Sequence, residues 1–237
     1  MPSKAVAEVR RINVYVPAGY SASGETRLPV LYMPDGGINE DFLHIAGLLQ
    51  VLVGNGTMRP FLLVGIENTE RRRDMTGPTD NAQDKRIAPR VGGSAAFRAF
   101  LRDELMPEIG ARYRTTSETA IVGESLAGLF VIETFLLTPD LFDTYIAFDP
   151  SLWWNDKKML SAAGELLRVK PPTGKALFLA SSGDSGLAEP AAVLAGLVQR
   201  GGGKVQHEHM ATETHATIYH PAALRAFRLL FKPVAAK

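Results

Sequence analysis

Short apolar runs and longer amphipathic stretches alternate along the chain. Residues 9–16 and 30–33 read as β-rich runs, separated by a turn-rich stretch with Pro17, Gly19, Ser21, Ser23 and Gly24 that reads as a hairpin-like connection. After Pro34-Asp35-Gly36-Gly37 the apolar spacing of residues 41–53 suits a helix ending near Gly54 and Gly56. Phe61-Leu62-Leu63-Val64-Gly65-Ile66 is a continuous apolar run, the pattern of a strand buried on both faces of a parallel sheet. Residues 67–93 show no periodicity, only charges, glycines and prolines. A stretch of that length reads either as a functional lid or pocket wall or as a solvated surface excursion.

Ser94 is placed to cap a helix running to about Tyr113, with Phe97, Phe100, Leu101, Leu105 and Ile109 on one face. Strands are then expected at 119–123, 145–148, 176–180 and 205–210, and helices at 126–137, 159–169, 191–199 and 221–231. Such alternation predicts an α/β fold with a mostly parallel central sheet, helices on both faces, and an antiparallel portion at its start. A length of 237 residues fits one α/β domain spanning 1–237. Hydrophobic residues at 46% and charged residues at 22% are ordinary for a soluble globular chain. A formal charge of +1 supplies no field for nucleic acid or anionic membrane. With no cysteine, disulfides, thiolate catalysis and Cys-ligated metal centres are excluded. No apolar run approaches the ~18 residues of a membrane span, and the N-terminus lacks the apolar core of a signal peptide. A cytoplasmic location is therefore expected, although a secreted or periplasmic chain shorn of its leader would read the same.

Chemistry concentrates in Thr119-Ala-Ile-Val-Gly-Glu-Ser-Leu-Ala-Gly128, where Gly123-x-Ser125-x-Ala127 falls between a predicted strand and a predicted helix. A nucleophile elbow needs small residues two positions either side of the serine, because its sharp turn crowds them against neighbouring strands. Read alone, the same residues describe a glycine-ended strand with Ser125 as an ordinary helix N-cap. An acid and a histidine follow in the order such a hydrolase requires, each after a predicted strand. These are Asp184, in Ser181-Ser182-Gly183-Asp184-Ser185-Gly186, and His215, in Thr212-Glu213-Thr214-His215-Ala216. Glu189 and Asp149 are alternative acids. In this scheme His215 takes the Ser125 proton and the acid fixes its tautomer, while the backbone N–H groups of Leu126 and Gly37 hold the oxyanion. Asp35-Gly36-Gly37 reads equally as a plain turn. His207 and His209 share one strand face and would suit a metal, but no third ligand converges, so they read as solvent-facing. His44 lies in the first helix and His220 begins the last.

Several segments in order resemble the putative-esterase family of α/β-hydrolases, which includes esterase D, feruloyl esterases, enterochelin esterases and the mycolyltransferase antigens. They are Leu28-Pro-Val-Leu-Tyr-Met-Pro-Asp-Gly36, Val64-Gly-Ile-Glu-Asn-Thr-Glu-Arg-Arg-Arg-Asp-Met-Thr76, the elbow, Asp149-Pro-Ser-Leu-Trp-Trp-Asn155 and Glu213-Thr-His215. The resemblance spans about residues 8–231. It departs from the family at Asp149, where relatives often carry serine, at Glu124, where many carry histidine, and at Ala127, where the pattern ends in glycine. It implies an α/β-hydrolase fold and a cofactor-free serine hydrolase acting on a small-molecule ester, with no metal. Acyl transfer and a non-catalytic binding role on the same scaffold are the alternatives; substrate identity and oligomeric state are open. The adjacent Trp153 and Trp154 could line an acyl pocket or pack in the core. Arg71, Arg72 and Arg73 could meet an anionic substrate or form a solvated charge run.

Overall fold

The computed structural model describes residues 1–20 and 24–233. A two-stranded ribbon, β1 (Pro2–Ser3) and β2 (Glu8–Val9), precedes the main sheet. The sheet's strands are β3 (Ile12–Tyr15), β4 (Leu28–Pro34), β5 (Leu62–Ile66), β6 (Thr115–Glu124), β7 (Thr144–Phe148), β8 (Ala176–Ser182) and β9 (Lys204–Met210). They lie in the order β3-β5-β4-β6-β7-β8-β9. All neighbours are parallel except β3 and β5, which is the antiparallel start that the chain pattern predicts.

Period-two alternation divides the apolar side chains between two cores. In β5, Leu62, Val64 and Ile66 point to one side and Leu63 to the other, and in β4 Val30 and Tyr32 oppose Leu31 and Met33. The first core is covered by α3 (Ser94–Phe100), α4 (Met106–Arg112), α5 (Ser125–Leu137), α6 (Trp154–Val169) and α7 (Ala188–Arg200). The second is covered by α1 (Phe42–Gly54) and α8 (Tyr219–Leu230). Helix α5, buried nearly all round, carries the apolar load of the centre.

Four expectations change. The first two main strands do not form a hairpin: β5, apolar on both faces, inserts between β3 and β4. Ser21 and Ser23 of the intervening turn lie outside the described residues. The run 9–16 breaks at Arg10, whose buried guanidinium turns inward to pair with Asp74 and lie 5.3 Å from the Phe97 ring. The predicted helix 94–113 is continuous, but residues 101–105 form a π-helical turn between α3 and α4. Gly93, not Ser94, occupies its N-cap, and Ser94 instead donates to the buried Glu133. Helix α6 opens with Asn155, Asp156 and Lys157 in left-handed backbone conformation, φ 49°, 52° and 61°, which costs non-glycine residues about 1–2 kcal/mol each.

The region 67–93 is not featureless, although much of it, 85–87 and 89–90 included, is exposed. It contains the short helix α2 (Arg71–Asp74) and a 3₁₀ turn at Asp84–Arg86, and it is tied to the start of α6. Trp154 Nε1–H donates to Gly77 O (2.9 Å), Asn155 N–H to Asp84 Oδ2 (2.8 Å), and Asp80 N–H to Asn155 Oδ1 (3.1 Å). These bonds hold the left-handed turn in place.

Candidate active site

Parallel strands all deliver their carboxyl ends to one rim, where ligands bind in open α/β sheets. Asp35 follows β4, Ser125 follows β6, Asp149 follows β7, Asp184 follows β8 and His215 follows β9. Ser125 adopts φ 59°, the strained conformation of an elbow. A Cβ on Gly123 would lie 2.7 Å from the Ala127 carbonyl carbon and 2.8 Å from its Cβ, so only glycine fits. Ala127 is tolerated because position 123 gives way to it.

His215 Nε2 lies 3.1 Å from Ser125 Oγ. Its Nδ1 lies 3.1 Å from Asp149 Oδ2. Asp149, fully buried, also accepts the Ser182 N–H at 2.7 Å. Asp184 therefore does not reach the imidazole: its Oδ2 accepts the backbone N–H of His215 at 2.8 Å and holds the loop instead of the ring. Glu189 sits in the first turn of α7. The physical reason is depth. Asp149, at φ 40° and fully buried, sets its carboxylate between the Ser182 N–H at the end of β8 and the His215 ring, whereas Asp184 lies two residues beyond β8 on an exposed loop.

Electrostatics follow the geometry. Burial would raise the Asp149 carboxyl, but hydrogen bonds from His215 and Ser182 hold it below its ordinary value. The bond to Asp149 lifts the His215 imidazole above its ordinary 6.5, helped by the charges of Glu124, Asp149 and Asp184 and opposed by partial burial. Burial pushes Glu124 up to about 7, an effect that His215 opposes and Asp41, Asp149 and Asp35 reinforce.

Leu126 lies in the first turn of α5, where backbone N–H groups lack intrahelical partners. Gly37 is corrected as an oxyanion donor: its N–H is bound at 2.6 Å to Glu40 Oε2, and the same carboxylate also accepts the Asn68 N–H. Glu40 reaches back three residues in the manner of a capping box, a spacing readable as Gly37-x-x-Glu40. Trp154 is corrected too, since it is 5% exposed and bonded to Gly77, whereas Trp153 is 43% exposed. Nor is the arginine run solvated throughout. Arg71 grips Asp35 with Nε and Nη2 at 2.7 and 2.8 Å, and Arg73 binds Asp74, Glu8 and Glu70. Arg72 stays exposed beside a cavity of about 470 Å³ that Glu70, Arg71 and Arg90 also line. His207 Nε2 and His209 Nδ1 lie 3.0 and 3.4 Å from the buried Ser181 hydroxyl; His209 is exposed, as the solvent-facing reading expects, whereas His207 is half-buried. Sequence reading missed the Asp35–Arg71 clamp and the Thr79–Asp84–Asn155 network, whose partners are remote along the chain.

The profile of a family described as putative esterase matches residues 3–225. The chain is 35% identical over 159 residues to the ferri-bacillibactin esterase BesA of Bacillus subtilis, covering 59% of this chain and 50% of that protein. It is 31% identical over 165 residues to the siderophore triacetylfusarinine C esterase of Aspergillus fumigatus, covering 62% and 52%. The chain thus spans about half the length of these curated relatives. Among solved structures, an IroE-like serine hydrolase from Shewanella oneidensis superposes with a TM-score of 0.83 at 29% identity, over 97% of this chain and 78% of that one. No described helix is long and apolar enough to cross a membrane.

Proposed function

The chain belongs to the putative-esterase family of α/β-hydrolases, and on that premise we propose that residues 1–237 act as one hydrolase domain cleaving a carboxylic ester of a siderophore through an acyl-enzyme on Ser125. The observation that carries this reading is the continuous contact from Asp149 to His215 to Ser125, 3.1 Å at each step. With the proton on Nδ1 facing Asp149, Nε2 is free to accept the Ser125 proton as Oγ attacks the ester carbonyl carbon. Charge collects on the carbonyl oxygen, for which the Leu126 N–H at the start of α5 is the candidate donor. Collapse of the tetrahedral intermediate breaks the ester bond, and His215 returns the proton to the departing alcohol. Water then attacks the acyl-enzyme with His215 again as base, releasing the acid and restoring Ser125. The half-reactions need only water as co-reactant.

The siderophore assignment rests on the named activities of the two relatives. Two features of the rim agree with it: the exposed ring of Trp153 offers an apolar platform, and Arg72 offers an unburied cation for an anionic chelate. The test compares wild type, Ser125→Ala and His215→Ala on p-nitrophenyl acetate and butyrate, and then on ester-linked catecholate and hydroxamate siderophores with and without bound ferric ion. Folding is checked by circular dichroism. Loss of all turnover in both folded variants supports the mechanism, and turnover of either siderophore class by wild type supports the substrate. Failure of Ser125 to react with a phosphonate ester in folded wild type would overturn the reading.

A further inference from the structure

A second arrangement of nitrogen atoms lies on the opposite side of the sheet from α5, where α1 meets α8. His44, near the start of α1, and His220, near the start of α8, bring their Nδ1 atoms to 3.4 Å. Their ring centroids are 5.5 Å apart. Two nitrogens bound to one tetrahedral ion at ~2.05 Å each lie about 3.3–3.4 Å apart, so the pair already stands at chelating separation. Asp41 Oδ1 lies 3.3 Å from His44 Nε2. A proton on Nε2 facing that carboxylate leaves the Nδ1 lone pair directed at His220, the outer-sphere arrangement found behind metal-bound histidines. Tyr219 packs edge-on against His44, centroids 4.9 Å apart at 87°, and fixes the ring plane.

We propose that His44 and His220 form a surface site for a borderline divalent cation such as Cu²⁺, Ni²⁺ or Zn²⁺, bound through both Nδ1 atoms with Asp41 as the outer-sphere orienting group. Among the described residues no cluster of three or more His, Cys, Asp or Glu side chains forms a ligand set, so water completes the coordination. The electrostatic surroundings favour a cation despite the two helix N-termini. Asp41, Asp35 and Glu124 all act on the neighbouring Tyr219, with Arg71 opposing them, although burial is the main reason its hydroxyl resists ionisation. Binding leaves the His220 proton on Nε2 instead of Nδ1 and needs no redox partner. An imidazole pair suits these ions better than the ferric ion of an oxygen-donor chelate, so this site is separate from any iron that a substrate carries. A bound ion would brace the turn after β4, which leads into α1, to the His215 segment, which leads into α8.

The proposal is independent of the hydrolase reading because its readout is binding. The full chain is titrated calorimetrically with Cu²⁺, Ni²⁺ and Zn²⁺, and the Cu²⁺ form is examined by electron paramagnetic resonance for nitrogen hyperfine structure. The expected result is one ion per chain, Cu²⁺ tightest, with two nitrogen ligands. His44→Gln and His220→Gln should each weaken binding about ten-fold or more, and Asp41→Asn about ten-fold, while the double change His207→Gln with His209→Gln leaves it intact. No binding by wild type at millimolar Cu²⁺ would overturn the site. So would binding as tight as that of wild type by His44→Gln and by His220→Gln when both are folded, or loss of binding only in His215→Ala or the His207/His209 double variant.

Discussion

Two segments flank the nucleophile and are held by opposite means. The elbow, 123–128, is fixed by crowding: Gly123 against the Ala127 backbone, and Gly128 against Phe148 O at 3.0 Å and Pro150 Cα at 3.1 Å, measured from the Cβ each lacks. The 67–93 segment is fixed by polar bonds to residues some seventy positions away, such as Trp154 to Gly77 and Asn155 to Asp84. Crowding tolerates no added atom and polar stapling tolerates no missing one. The chemistry uses both, because Ser125 stands on the first and the rim around Trp153 stands on the second.

The largest expected effect separates the two carboxylates beside His215. Asp149→Asn should lower kcat/KM on a p-nitrophenyl ester by about 10³–10⁴, since it removes the acceptor that fixes the imidazole tautomer. Asp184→Asn, which touches only the backbone N–H, should cost less than about ten-fold; steady-state kinetics that reversed this order would return the triad acid to Asp184.

Stability comes next. Gly123→Ala should destabilise by about 1–3 kcal/mol through overpacking and lower kcat together with it. Asp84→Ala strips acceptors from the Thr79 hydroxyl and Asn155 N–H and should cost about 1–3 kcal/mol for stranding buried donors. That second loss should leave kcat near wild type on a small ester while limited proteolysis quickens within 67–93. Denaturant melts and protease mapping check both.

A smaller effect concerns pH. The base form of His215 is required and its ionisation is raised, so the rate should fall as pH drops through a midpoint above 6.5. Glu124→Gln removes a negative charge that favours the imidazolium, so the acid limb of the kcat/KM profile should shift to lower pH. An unmoved or upward-shifted limb would show that Glu124 does not act on His215. Smallest of all, Trp153→Ala should raise KM for an aryl-substituted ester several-fold, an effect of about 0.5–1.5 kcal/mol, with kcat little changed. Trp154→Phe should instead register as a stability loss, from stranding the Gly77 carbonyl.

How far the sequence could be read follows the same division. Strands β5 and β7 and the elbow were legible because they depend on short-range patterns: a short continuous apolar run, or small residues two positions from a serine. The choice of Asp149 was not, because it turns on how deep one strand end sits relative to its neighbour, and Asp184 satisfies the same linear order. Likewise 67–93 looks unstructured because its acceptors and donors lie across the fold in 154–156. The hairpin expectation failed for a related reason, since the pairing of β3 with β5 is decided by which strand can be covered on both faces. Glu40, by contrast, left a local signal three residues from Gly37.

The central place of β6 has a consequence for how the chain acquires its shape. Its register with β4, Val30 to Thr119 and Tyr32 to Ile121, joins segments separated by the whole of α1, β5 and the 67–93 region. Closing so long a loop must precede any reward from that pairing. Until the ribosome has delivered β6, one long edge of β4 stays unpaired and apolar, a template for association with other chains. The strand that presents the nucleophile is thus also the one whose arrival ends that exposure.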